Sequence, residues 1–451
     1  MTLHAPAATG LRPDLTERLA VARGLCPRAT ADLTGEIRDV VVLASSSRGG
    51  SSMVAETLRA SRDLLHLQGE INPFLRITGL AHPDSGDCDR LDAEHLAGLD
   101  PALREVLDTE LAHDIGSAAD PAHAVDDRRY AADLAARLVM QWPELPVEPG
   151  RVAETAERVL AAQRAGLRGP QDPPFDAHRF FPAFFAELAD RGLPVEPGYY
   201  DLPRGLLRPE TPGSGPAGPP GGFLVEEPPF ILPRPWCPAS PQDARTKPLV
   251  VKTPSNAYRF GFLRALFPHA RFRVVHLTRN PAAAVNGLWD GWLHHGFHAH
   301  RMTRPLGIGG YVERAPDNRW WWKFDLAPGW QEFTSAPLLD VCAFQWRSAH
   351  QAVLDELAGG EVERLTLRFE DLIGGAAGRI DCFERLADWL GVPFEGAFRR
   401  AAHEGIGPVV ATAEPRAGRW RARAARISAA VGPADRALAD RLGYTDETEW
   451  I

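Results

Sequence analysis

Residues 40–52 read VVVLASSSRGGSS, and this stretch decides how the chain folds. The apolar run from Val40 to Leu43 predicts a buried strand, and the residues from Ser51 to Arg59 predict a helix directly after the turn. Glycines let a backbone turn tightly, and the N–H groups at the start of a helix bind anions. Hydroxyl groups and a guanidinium stand beside them, so the expected anion is a phosphate or a sulfate. Taken alone, the pattern also fits an ordinary turn between a strand and a helix.

A second stretch of this kind, FRVVHLTRNP, spans residues 272–281. Residues 272–278 predict another strand, which ends in Arg279-Asn280-Pro281, and a helix is predicted from Ala282. Further strands are predicted at 64–68, 248–252 and 363–369, and helices at 131–139, 152–165, 177–189 and 382–390. Because strands that alternate with helices form parallel sheets, we expect an α/β fold with a parallel sheet flanked by helices.

Four ionisable side chains stand at or just past the ends of the predicted strands: Arg48, Glu70, Lys252 and Arg279. Ligands of parallel α/β sheets bind beyond the carboxyl ends of the strands. The sequence therefore predicts that these four residues share one site.

Composition divides the chain into four segments. Residues 1–38 predict a helical lead-in, and 39–80 the first part of the α/β core with the anion loop. Residues 81–245 predict a large insertion that is mainly helical and rich in proline and glycine, and 246–451 predict the second part of the core. Within the insertion, segment 203–245 predicts a surface loop or a mobile linker, because prolines and glycines interrupt regular structure.

The two quoted stretches resemble the sulfotransferase family that uses 3′-phosphoadenosine 5′-phosphosulfate and has a P-loop-like fold. In that family a basic residue, small residues and two hydroxyl residues hold the 5′-phosphosulfate, and here Arg48, Gly49-Gly50 and Ser51-Ser52 stand in that order, followed by Met53. A later arginine and a serine eight residues further on hold the 3′-phosphate. Arg279 matches this arginine, whereas Gly287 stands at the serine position, with Asn286 beside it as a potential substitute.

A third family element is a basic residue, one further residue, a glycine and, shortly afterwards, a tryptophan. Residues 416–420 read RAGRW and resemble it. The resemblance implies that Arg416, Ala417 and Gly418 join Arg279 at the 3′-phosphate. It also implies 3′-phosphoadenosine 5′-phosphosulfate as the co-substrate and no metal.

Sulfuryl transfer needs cations that meet the charge developing on the leaving phosphate, and a base that takes the proton of the acceptor. Arg48 and Lys252, which ends an apolar strand, are the predicted cations, although Lys252 also fits a surface ion pair. The cytosolic small-molecule members of the family use a histidine two residues after that lysine, where this chain has Pro254. Bacterial and carbohydrate-type members use a glutamate after the first helix instead. Residues 68–74, QGEINPF, resemble that arrangement, so Glu70 is the predicted base, its alternative being a solvated loop carboxylate.

Histidines are the rival bases: His66, His294, His295 and His298. The spacing of His294 and His298 would also place two imidazoles on one helical face, where they could bind a metal, but Gly296 interrupts such a helix. Tryptophans and phenylalanines are concentrated at 289–330, and three consecutive tryptophans at 320–322 cannot all point inward. This segment and the insertion are the predicted acceptor pocket, although core packing explains the aromatic residues equally well.

Composition excludes several classes of protein. A net charge of −9 argues against a nucleic-acid-binding protein, and no apolar run approaches the roughly 20 residues that span a bilayer. The first ten residues do not resemble a signal peptide, and five scattered cysteines form no metal-binding pattern, so we expect a cytoplasmic protein without a metal or a membrane partner. The high content of alanine, arginine, glycine and proline is typical of a bacterial source.

The sequence thus predicts a sulfotransferase that modifies a hydroxyl or an amine of a small molecule, such as a natural product or a carbohydrate. A P-loop kinase is the first alternative, but its fingerprint requires a lysine after the last glycine of the loop, where Ser51 stands. A non-catalytic nucleotide-binding relative is the second alternative, since Gly287 and Pro254 replace residues that the family uses.

Overall fold

The protein is described by a computed structural model that covers residues 13–27, 32–119, 125–167, 175–202, 216, 218–360, 362–407, 409, 411–413 and 416–450. The first ten residues, which bear on the signal-peptide interpretation, lie outside these ranges, as do residues 203–215 of the proline- and glycine-rich segment.

A seven-stranded sheet forms the centre of the described chain, with the strand order β4-β3-β2-β5-β1-β6-β9. A separate two-stranded antiparallel sheet pairs β7 with β8. The strands are β1 (Asp39–Ala44), β2 (Leu65–His66), β3 (Gly116–Ala118), β4 (Trp236–Pro238), β5 (Leu249–Lys252), β6 (Arg271–Thr278), β7 (His298–Arg301), β8 (Trp321–Lys323) and β9 (Glu363–Arg368).

Helices cover the sheet. They are α1 (Pro13–Leu25), α2 (Leu33–Glu36), α3 (Ser51–Leu58), α4 (Asn72–Ile77), α5 (Ala93–Ala97), α6 (Pro101–Asp114), α7 (Asp127–Gln141), α8 (Pro149–Ala165), α9 (Ala177–Asp190), α10 (Pro241–Thr246), α11 (Phe260–Leu266), α12 (Pro281–Trp292), α13 (Leu338–Leu357), α14 (Phe369–Ile373), α15 (Ala376–Leu390), α16 (Gly396–Glu404), α17 (Ala424–Ala430) and α18 (Pro433–Arg441). Short 3-10 helices include Pro254–Tyr258 and Arg419–Arg423.

Five neighbouring strands, β2-β5-β1-β6-β9, pair in parallel, which confirms the predicted mixed α/β fold with a mostly parallel sheet. The central strand β1 is buried on both faces. Val40, Val42 and Ala44 pack into one apolar core, whereas Val41 and Leu43 pack into a second core on the opposite face. This arrangement explains why the strand has a continuous apolar sequence rather than an alternating one.

Besides helices α5 to α9, the segment 81–245 contributes two short strands to the sheet. Strands β3 and β4 extend the sheet beyond β2 by antiparallel pairing. β4 belongs to segment 203–245, for which a surface loop or mobile linker was predicted. Its described part is instead anchored, because Val225 and Phe230 are fully buried. Val225, Phe230 and the pairing of β4 with β3 thus attach this segment to the core, although its prolines and glycines are typical of an exposed loop.

Two further observations concern location. None of the helices in the described ranges is both long enough and apolar enough to cross a membrane. The five cysteines are free thiols; Cys342 and Cys382 are buried, whereas Cys237 is exposed.

Candidate functional site

The anion loop between β1 and α3 is a tight turn packed against another part of the chain. Gly50 has a φ of +100° and caps α3, and a Cβ atom there would lie 2.2 Å from the Phe369 ring. A Cβ atom on Gly49 would lie 2.1 Å from the Ser45 hydroxyl. Both positions therefore require glycine, and the turn directs the first residues of α3, namely Ser51, Ser52 and Met53, toward the end of the sheet.

Two serines of the anion loop form hydrogen bonds that stabilise the loop. The Ser45 hydroxyl donates to the Ser46 carbonyl at 3.1 Å, and the Ser47 hydroxyl donates to the buried Asp325 carboxyl at 2.6 Å. Asp325 also accepts a hydrogen bond from the Tyr258 hydroxyl at 3.0 Å. Burial raises the pKa of Asp325 to about 6, although the hydrogen bond from Ser47 opposes that rise. The hydroxyls of Ser46, Ser51 and Ser52 are not used in these bonds, and that of Ser46 is buried without a hydrogen-bond partner.

Arg48 and Arg279 meet at the carboxyl ends of the adjacent strands β1 and β6. Arg279 Nη1 donates to the Arg48 carbonyl oxygen at 2.9 Å, and the Arg279 guanidinium lies 4.6 Å from the centre of the Phe369 ring. Burial, and after it the charge of Arg279, lowers the pKa of Arg48 to about 10. Burial likewise lowers the pKa of Arg279 to about 10. The structure thus concentrates positive charge beside the anion loop.

Helix α12 provides the surface along which the Arg48 side chain runs. A Cβ atom on Gly287 would lie 3.5 Å from Arg48 Cβ and 3.6 Å from Arg279 Nη1, and one on Gly291 would lie 3.5 Å from Arg48 Cδ. These glycines are one helical turn apart, so they share a face of the helix. Gly287 therefore lies beside both arginines.

Three residues other than glycine have a left-handed backbone in the described chain, and they form one contiguous group. Arg48, Phe297 and Phe324 have φ values of +61°, +62° and +64°. The Arg48 guanidinium lies 5.0 Å from the centre of the Phe297 ring, and the Phe297 and Phe324 rings are 5.1 Å apart. Such strained residues cluster at functional sites, where packing holds them in place. Both phenylalanines are partly exposed, so they form an apolar wall next to the anion loop.

Glu70 and Lys252 form a direct ion pair. Lys252 ends β5 and Glu70 follows β2, and the Lys252 ammonium donates to Glu70 Oε1 at 2.5 Å. Both side chains keep some exposure, 17% for Lys252 and 23% for Glu70. Lys252 is the strand partner of Leu43 in β1, and the anion loop begins directly after β1. All four predicted strand-end residues therefore lie along the same edge.

The C-terminal element lies at the start of a 3-10 helix and lines a cleft. Arg416 and Ala417 are exposed, and Gly418 has a φ of +66° at the start of the 3-10 helix. A cleft of about 360 Å³ is lined by arginines and alanines of this segment: Ala413, Arg416, Arg419, Ala422 and Arg423. Arg419 and Arg423, rather than Arg416, contact helix α12 through Asp290.

Asn286, the potential substitute for the missing hydroxyl, contacts the C-terminal segment. Its Oδ1 accepts a hydrogen bond from Arg423 at 2.6 Å, and its side chain is buried. Sequence reasoning missed Arg419, Arg423 and Asp290 as members of the site. The available signals were the three arginines within residues 419–423 and the spacing of Asn286 and Asp290, one helical turn apart.

The strand-end element at 368–372 ties distant segments together. Glu370 Oε1 accepts hydrogen bonds from the backbone and the side-chain nitrogen of Asn280, at 2.9 and 2.7 Å. Glu370 Oε2 accepts one from the Tyr444 hydroxyl at 2.8 Å. These bonds fix the turn after Arg279 and so fix the direction of α12.

The histidines do not form the helical pair that their spacing allowed. Helix α12 ends at Trp292, and His298 lies in β7, where its Nε2 is 2.5 Å from the His295 carbonyl oxygen. Burial holds the pKa of His298, and that of His66 in β2, well below the usual value. No group of three or more potential metal ligands occurs within the described ranges.

Of the three consecutive tryptophans, Trp321 and Trp322 are buried and Trp320 is partly exposed. Trp322 packs against Trp292, with ring centres 5.3 Å apart. Trp292, Trp321 and Trp322 are therefore core residues, whereas Phe297 and Phe324 provide the apolar surface next to the loop.

Comparison with known proteins gives limited information. No family model and no curated protein matches the chain. Among solved structures, the chain is similar to the sulfotransferase domain from the curacin biosynthetic pathway, with 12% identity, a TM-score of 0.35, and 90% of this chain and 98% of that domain covered. It is also similar to the sulfotransferase domain of the Synechococcus PCC 7002 olefin synthase, with 14% identity, a TM-score of 0.36, and coverage of 90% and 95%. Similarity at this level does not establish an activity.

Proposed function

We propose that this protein is a sulfotransferase that moves the sulfuryl group of 3′-phosphoadenosine 5′-phosphosulfate to a hydroxyl or an amine of a small molecule. The observation that carries the proposal is the contact between Lys252 and Glu70, next to the loop where Arg48 meets Arg279. One edge of the sheet then carries an acid–base residue, Glu70, and a cation, Lys252. It also carries the anion loop with its two arginines. These are the groups that in-line sulfuryl transfer requires.

In the proposed reaction, the acceptor oxygen attacks sulfur while the bond between sulfur and the bridging phosphate oxygen breaks. Glu70 takes the acceptor proton, and adenosine 3′,5′-bisphosphate leaves with the bonding electrons. Lys252 and Arg48 stabilise the negative charge that develops on the bridging oxygen. An ammonium group has three N–H donors, so Lys252 can contact the phosphate without giving up Glu70.

The acceptor side is assigned to the strained pair Phe297 and Phe324. Their partly exposed rings lie beside Arg48, so an acceptor seated against them would have its nucleophile close to the loop. Rings of this kind favour an acceptor with an apolar or planar face.

Calorimetric titration with adenosine 3′,5′-bisphosphate and adenosine 5′-monophosphate tests the donor. We expect the bisphosphate to bind at least about tenfold more tightly, since one charge-assisted hydrogen bond contributes ~1.5–3 kcal/mol. Arg279→Ala should remove most of this preference. Arg264→Ala should not change it, because Arg264 forms an exposed ion pair with Glu356.

Each contrary outcome favours a named alternative. Equal affinity for the two nucleotides would contradict the sulfotransferase proposal. Tighter binding of ATP in the presence of magnesium would favour the kinase. Tight bisphosphate binding without sulfuryl transfer to phenols, sugars or amines would favour a non-catalytic nucleotide-binding protein.

A further inference from the structure

The backbone that leads from β2 to Glu70 is bound by an arginine of another element. β2 ends at His66, four residues before Glu70. Arg59 Nη2 donates to the Leu67 carbonyl oxygen at 2.7 Å, and Arg59 Nη1 donates to the Gln68 carbonyl oxygen at 2.9 Å. Two hydrogen bonds from one planar guanidinium fix both the position and the orientation of the bound backbone. Arg59 therefore sets the direction in which the chain reaches Glu70.

A second contact holds the backbone N–H group of Gln68. This group donates to Asp114 Oδ2 at 3.0 Å, and Arg137 Nη2 donates to Asp114 Oδ1 at 2.9 Å. A Cβ atom on Gly69 would lie 3.3 Å from Arg137 Nη1, so this buried guanidinium lies directly against the residue before Glu70. The segment that carries Glu70 is thus held by side chains on several sides.

Arg59 also belongs to the helix that begins in the anion loop. It caps the C-terminus of α3, an eight-residue helix of about 12 Å whose first residue is Ser51. Arg59 Nε lies 3.3 Å from Glu56 Oε1, and its guanidinium lies 5.6 Å from the centre of the Trp236 ring. The Arg59 side chain is 18% exposed. It therefore joins the far end of the donor-loop helix to the segment that carries Glu70.

We propose that Arg59 is a positioning residue, which holds Glu70 at a fixed distance from the anion loop so that the carboxylate faces a bound donor. This inference rests on the proposed function and adds to its site a residue that acts only through the backbone before Glu70. Displacement of a reacting group by about 1 Å can lower a rate by about 10²-fold. A rigid connection between the base and the donor loop prevents such a displacement.

Arg59→Ala tests the inference. The change leaves Glu56 with a second partner, Arg234, whose Nη1 lies 3.2 Å from Glu56 Oε2. Turnover with 2-naphthol as a test acceptor should fall by about tenfold or more, because Glu70 is no longer held in place. The affinity for adenosine 3′,5′-bisphosphate should stay nearly unchanged, since the turn at Gly50 still sets the start of α3. Rate measurements under saturating donor and calorimetry check the two parts.

Arg234→Ala is the matched control. Arg234 binds the same carboxylate as Arg59, but its side chain is 69% exposed. This variant should keep the turnover and the nucleotide affinity of the wild type.

A double-mutant cycle separates positioning of Glu70 from a general loosening of the site. If Arg59 acts through Glu70, Arg59→Ala should lower turnover little further in the Glu70→Gln background. A general loosening would lower turnover by the same factor in both backgrounds.

Hydrogen exchange provides a measurement that does not require activity. The amides of residues 67–70 should exchange faster in Arg59→Ala than in the wild type, and at the wild-type rate in Arg234→Ala. Wild-type turnover of Arg59→Ala, equal losses in the two backgrounds, or unchanged exchange would each show the inference to be wrong. Absence of sulfuryl transfer by the unaltered protein would instead contradict the proposed function. Exchange would then still decide whether Arg59 holds this segment.

Discussion

The donor side and the acceptor side of the candidate site are built in different ways. On the donor side, Arg48, Gly50 and Arg279 lie in turns that directly follow strands β1 and β6. On the acceptor side, contacts join segments that are far apart in sequence. Arg76, for example, donates hydrogen bonds to the carbonyl oxygens of Val225 and Ala299, each at 2.9 Å. The turns of the donor side thus follow from local sequence, whereas the acceptor side depends on long-range packing.

This difference indicates which residues can be changed independently. The ion pair of Glu70 and Lys252 joins the segment after β2 to the end of β5, and the arginine cluster involves the ends of β1 and β6 and the C-terminal segment. If the donor side and the acceptor side are also separate in function, a variant on the acceptor side should change turnover without changing nucleotide affinity. A variant on the donor side should change nucleotide affinity without changing how the acceptor binds.

The largest effect is expected for Glu70→Gln, which keeps the size of the side chain but removes its capacity to accept a proton. Turnover with 2-naphthol as a test acceptor should fall by about 10²-fold or more, with nearly unchanged affinity for adenosine 3′,5′-bisphosphate. Rate measurements under saturating donor, together with calorimetry, check both parts.

Glu227→Gln is the matched control for this experiment, because Glu227 is a neighbouring carboxylate that pairs with Arg76. A wild-type rate for Glu70→Gln would mean that another group takes the proton. His294 and His295 are then the candidates, and their participation would leave a limb near roughly pH 6–7 in the rate profile of the variant.

The sequence predicts the donor side better than the acceptor side for a physical reason. Strand β1 and its glycine turn follow from apolar residues and backbone conformation within 13 residues, 40–52. The ends of adjacent parallel strands necessarily meet, so Glu70, Lys252, Arg48 and Arg279 were placed on one edge without knowledge of any contact.

Long-range packing explains what the sequence did not predict. Strand β4 has only three residues, and it forms because Gly116 in β3 allows Cys237 and Pro238 to approach closely. Similarly, nothing local indicates that Asp290 captures Arg419, a residue 129 positions away. Composition predicts only a surface loop or a mobile linker at 203–245, and the resemblance implies a role for Arg416 rather than for Arg419.

A second variant alters the donor side alone. Gly287→Ser adds a hydroxyl next to Arg279, since a Cβ atom at this position lies 3.6 Å from Arg279 Nη1. If the 3′-phosphate binds here, the added hydrogen bond should increase the affinity for adenosine 3′,5′-bisphosphate by up to about tenfold. The affinity for adenosine 5′-monophosphate should not change, and calorimetry measures both.

Gly287→Ala adds the Cβ atom without the hydroxyl, so it distinguishes the effect of the hydroxyl from that of the carbon atom. Its Cβ meets Arg48 Cβ at 3.5 Å, an ordinary van der Waals contact, so the helix should tolerate it. Alanine in a helix interior is favoured over glycine by up to ~1 kcal/mol, so the unfolding midpoint should rise slightly. An equal gain in bisphosphate affinity with alanine and with serine would contradict the role of the hydroxyl.

The smallest effect is expected at Asp325, which joins the two sides. Its carboxyl accepts hydrogen bonds from Ser47 in the anion loop and from Tyr258 in the 3-10 helix after β5. Burial raises its pKa from 3.8 to about 6. Between these pH values the folded state binds more protons than the unfolded state, so the free energy of unfolding falls as the pH rises.

Asp325→Asn removes this titration while preserving the shape of the side chain. Both of its partners are hydroxyls, which accept as well as donate, so an amide can take the place of the protonated carboxyl. The stability of the variant relative to the wild type should therefore increase by about 1 kcal/mol between pH 5 and pH 7.5, because only the wild type must ionise a buried acid. Urea unfolding of both proteins at the two pH values measures this difference. A difference that is independent of pH would show that Asp325 is ionised in the folded state throughout this range, and that the anion loop and the acceptor segment are joined by a charged group.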